Sequence, residues 1–93
     1  MVETKEGEKM ATSRTFEILW GKFENEKRAL ESLESKISEN KISADEKSKR
    51  LNITKKNLED IAAKAQERLR DPWEEEMMIK SVDELMKEVN NLL

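Results

Sequence analysis

Ninety-three residues, 35% apolar and 42% charged with a formal net charge of −3, leave room for one domain built on one modest core. Cys, His and Tyr are absent, which excludes a disulfide framework, a thiolate or imidazole metal site and the commonest general base. No apolar run approaches the roughly 20 residues of a membrane span, and Met1 to Lys9 is acidic and polar where a signal peptide is basic and then apolar, so a soluble, intracellular and cytoplasmic chain is expected.

Charge at this density would favour disorder if it lacked a pattern. Here it is interleaved with apolar ladders at helical spacing, and only one Pro and two Gly interrupt the chain. Residues 1–12 have no ladder; Glu3, Lys5, Glu6, Glu8 and Lys9 around Gly7 read as a flexible N-terminal tail.

The first ladder, Phe16, Leu19, Phe23, Leu30, Leu33 and Ile37, steps by three and four with a gap at Glu26, which predicts a helix over 13–39. Ser13 or Thr12 is its expected cap and Asn40 its left-handed terminator. Gly21 costs about 1 kcal/mol relative to Ala inside a helix, so close packing beside Trp20 and Phe23 is expected there. Trp20 lies at the edge of the ladder, where an indole can cover the core and still reach a polar partner.

Ser43-Ala44-Asp45-Glu46 opens the second helix, expected over 44–70, with the ladder Leu51, Leu58, Ile61, Ala65 and Leu69 and a gap at Thr54. Pro72 lacks an amide donor and ends this helix. Asp71-Pro72-Trp73-Glu74 then starts a third helix over 72–93, with Pro at its first position, Glu74, Glu75 and Glu76 in the positive field of its first turn, and the ladder Met78, Val82, Leu85, Val89 and Leu92. Both start signatures place a side-chain acceptor three residues before a Glu, the spacing of a capping box. Segment 43–70 carries a net charge of +3 and segment 71–93 one of −5, so an antiparallel contact between them would set opposite charges along its rim and favour that register.

Candidate sites are few. Glu74, Glu75 and Glu76 with Asp71 cannot converge on one cation, because consecutive helix positions point about 100° apart. Every carboxylate is accounted for by a helix surface or cap, and no nucleophile sits with a base and a Gly-rich backbone. No catalytic, cofactor-binding or metal-binding residue is therefore assigned. Asn52-Ile53-Thr54 matches a glycosylation acceptor but falls mid-helix. Lys49, Arg50, Lys55 and Lys56 could form a face for nucleic-acid phosphates; flanking acids, the negative net charge and the lack of interleaved aromatics argue against it.

The third helix carries more apolar surface than one seam requires. Trp73, Met77, Ile79, Met86 and Leu93 are the candidate partner-binding residues: Trp73 either folds back over the link to pack against the end of helix two or stands exposed as a typical interface anchor, and Met adapts to varied partners. Asp71-Pro72-Trp73 resembles the short Asp-Pro-Trp peptides that bind clathrin-adaptor ear domains, although those act in extended segments and this one begins a helix.

These readings predict an all-α, antiparallel up-down-up three-helix bundle with coiled-coil-like heptad packing. In heptad phasing and helix length the chain resembles spectrin-type repeats and the N-terminal regulatory bundles of membrane-fusion proteins. Trp20 is similar in place to the spectrin-repeat tryptophan, but its neighbours do not complete that pattern, so no functional residue is carried over. The expected function is a non-enzymatic scaffold or adaptor that binds another protein or helix through helix three and its N-terminal turn. The alternatives are a homo-oligomer, in which helix three pairs across a dimer axis, and a nucleic-acid-associated regulator using the basic face of helix two.

Overall fold

A computed structural model describes residues 13–93, which form three α-helices: α1, Arg14–Ser38; α2, Ala44–Arg68; and α3, Pro72–Leu92. They pack as an all-helical bundle, with no strand among the described residues. The segment 1–12 lies outside the described residues. None of the described helices is long and apolar enough to cross a membrane.

The ladders become the core. Phe16, Leu19, Phe23, Leu30 and Leu33 of α1 are buried against Leu51, Leu58, Ile61 and Ala65 of α2 and Met78, Val82, Leu85 and Val89 of α3, while Ile37 and Leu92 are partly buried. Completely buried Leu, Met and Val side chains each contribute about 1.5–3 kcal/mol over their exposed state. Leu30, Leu51, Leu58, Met78, Val82 and Val89 are the largest side chains removed completely from solvent, and the larger Phe16 and Phe23 are buried nearly as fully. The gap at Thr54 is closed by Thr54 itself, buried at 5% exposure. Its methyl continues the apolar stripe, and its hydroxyl is carried inside with it.

Each helix end follows from local chemistry. Ser13 Oγ accepts the amide of Phe16, Ser43 Oγ accepts that of Glu46, and Asp71 Oδ1 accepts that of Trp73. Glu46 does not complete a capping box; its carboxylate accepts from Arg50 Nε one turn later, at 2.8 Å. Asn40 adopts φ 58°, and the amides of Asn40 and Lys41 donate to the carbonyls of Ile37 and Lys36. This is the two-bond Schellman closure, in which Asn tolerates the left-handed backbone.

Two local expectations need correction. Gly21 makes no close approach, since a methyl group built there would meet nothing within 4 Å. The glycine is a local cost without a packing return. The second helix ends at Arg68, two residues early, because Leu69 turns extended (ψ 125°) and buries its side chain in the core at 6% exposure. Its amide still donates to Ala65, so only the chain direction changes.

Packing between helices is uneven. α2 lies extensively against both α1 and α3, whereas α1 and α3 touch each other least. The ion pairs Lys41–Glu39, Arg50–Glu46, Lys64–Asp60 and Arg68–Glu67 are all local, and none of the four joins two helices. The opposite net charges of segments 43–70 and 71–93 are expressed in none of these four pairs.

Candidate functional site

The start of α3 is fixed from its own sequence. Asp71 caps it and Pro72 presets the first helical position, so Trp73 leaves the backbone at a defined direction. The Trp73 ring lies 6.3 Å from Phe16, tilted by 34°; Phe16 stacks on Trp20 at 5.6 Å and 13°; Trp20 meets Phe23 at 5.0 Å. All four aromatic residues of the chain therefore form one row. Its Phe members are buried in the core, Trp20 is partly buried, and Trp73 remains 56% exposed. Contacts at these separations are worth about 0.5–1.5 kcal/mol each beyond area burial, enough to hold Trp73 without covering it.

Glu74, the next residue, turns inward. It is 4% exposed, and its carboxylate accepts the Ser13 amide at 2.7 Å and the Ser13 hydroxyl at 2.8 Å. A capping box needs Glu or Gln at the third helical position, reaching back to the cap amide. In α1 that position is Phe16, which is used for the core; Glu74 of α3 supplies the missing carboxylate. Two helix starts, both positive ends of dipoles, thus share one anion. Thr15, Arg68, Arg70 and Asp71 line the cleft around this contact.

The five candidate partner-binding residues divide into two groups. Met77 is 36% exposed and falls one turn after Trp73 on the same side of α3. Ile79 and Met86 lie about 160° and 180° around the helix from Met77 and are partly buried against the core. Ile79 also lines an open groove of about 640 Å³ with Gln66 of α2 and with Pro72, Asp83 and Lys87 of α3, so that flank is partly buried and partly accessible. Leu93 is 52% exposed at the far end of α3, away from Trp73. Trp73 and Met77, continued by Trp20, are the residues the fold brings together.

The basic residues of α2 share no single face. Lys49 and Lys56 align to about 20°, but Arg50 is about 100° and Lys55 about 120° from Lys49. Arg50 is engaged by Glu46, Lys55 is half-buried, and Asp45, Asp60 and Glu67 share the side of Lys49 and Lys56. Of the acidic run, Glu74 is buried, Glu75 half-buried and Glu76 exposed, and no group of acidic side chains among the described residues is arranged to hold a metal ion. The burial of Glu74 has no sequence signal, since its position equally suits a solvated first turn. The row Phe16, Trp20, Phe23 was open to detection from its four- and three-residue spacing; its extension to Trp73 required the fold.

Compared with protein-family models, curated proteins and solved structures, the chain matches none.

Proposed function

We propose that the chain is a non-enzymatic protein-interaction module, an up-down-up bundle with heptad packing that presents the first turn of α3 to a partner. The arrangement of helices is supported by the bond between the starts of α1 and α3 through Ser13 and Glu74, and by links of only a few residues. The recognition role rests chiefly on Trp73. Its indole is more than half exposed, yet one side is fixed against Phe16 and its backbone is set by Asp71 and Pro72. An aromatic anchor held in place before binding loses little conformational freedom on complex formation. Met77 and the outer part of Trp20 extend the apolar contact along the same side.

The test compares wild type with Trp73→Ala/Met77→Ser in affinity capture from the source cell, with circular dichroism to verify the fold. A partner retained by the wild type and lost by the folded variant is the expected result; equal capture would refute the assignment. Sedimentation equilibrium on both proteins addresses the self-association alternative. A dimer that the double substitution dissociates would assign this surface to a second copy. The nucleic-acid reading is set aside because the Lys49, Arg50, Lys55 and Lys56 side chains have no common face.

A further inference from the structure

We draw no further inference here: the strongest candidate, the exposed flank of Trp73 and Met77 at the start of α3, shares its side of the helix with both Lys80 and Glu84, and nothing in the structure shows what covers it.

Discussion

Glu74 offers the sharpest test of how the bundle is held. Its carboxylate receives two short bonds from Ser13, at 2.7 and 2.8 Å, and hydrogen bonds to a charged group contribute about 1.5–3 kcal/mol each. Burying a carboxylate costs several kcal/mol, offset here in part by two helix starts. Ser13 is itself exposed, so water can satisfy its donors once Glu74 is gone, which limits the loss. Glu74→Ala is therefore expected to destabilise the bundle by about 2 kcal/mol, equivalent to roughly 10 °C in Tm for a domain of this size. Glu74→Gln should cost about 1 kcal/mol or less, because an amide can accept the Ser13 N–H and donate to Ser13 Oγ. Urea unfolding followed by circular dichroism measures both, and a double-mutant cycle with Ser13→Ala should give a coupling of about 1 kcal/mol. A change within about 0.5 kcal/mol for Glu74→Ala, or additivity with Ser13→Ala, would refute the reasoning.

Other substitutions test separate parts of the structure, each by the same unfolding measurement. Gly21→Ala should stabilise by about 0.5–1 kcal/mol, since the new methyl meets nothing; a loss would show an unrecognised role for the glycine. Thr54→Val should raise stability by about 1 kcal/mol by removing a buried hydroxyl while keeping the volume, and a loss would indicate that the hydroxyl is well bonded. Asn40→Ala should cost about 1–2 kcal/mol from its left-handed backbone, and Asn40→Gly should not. Trp73→Ala should cost no more than about 1.5 kcal/mol, because more than half of the ring is already in water.

The apolar ladders made the core legible because a helix repeats its inward direction every three or four residues, and that period survives in the order of residues. Thr54 interrupts the ladder by polarity alone, although it occupies an inward position at 5% exposure. Asn40 was legible because a left-handed residue just after a ladder has few chemical solutions. Glu74 was not, since the same residue type at a helix start is equally favourable in solvent, and only the neighbouring start of α1 draws it inside. The candidate surface divided for a related reason. Apolar residues around α3 serve different neighbours, and periodicity counts them without saying that Ile79 and Met86 are partly buried against the core while Trp73 and Met77 stand on the other flank. Arg50, a candidate for a basic face by residue type alone, pairs instead with Glu46 one turn away.

The carboxylate that finishes the start of α1 comes from a residue 61 positions later in the chain. The opening turn of α1 closes on its own Ser13 cap, but the bonds from the Ser13 amide and hydroxyl to Glu74 form only once α3 docks. Amide exchange around Ser13 to Glu17 then reports on the attachment of α3, although α3 lies at the opposite end of the sequence. Any partner that pulled α3 away would also loosen the chain where the N-terminal segment joins the bundle, so an event at Trp73 would be felt at residues that the partner never touches.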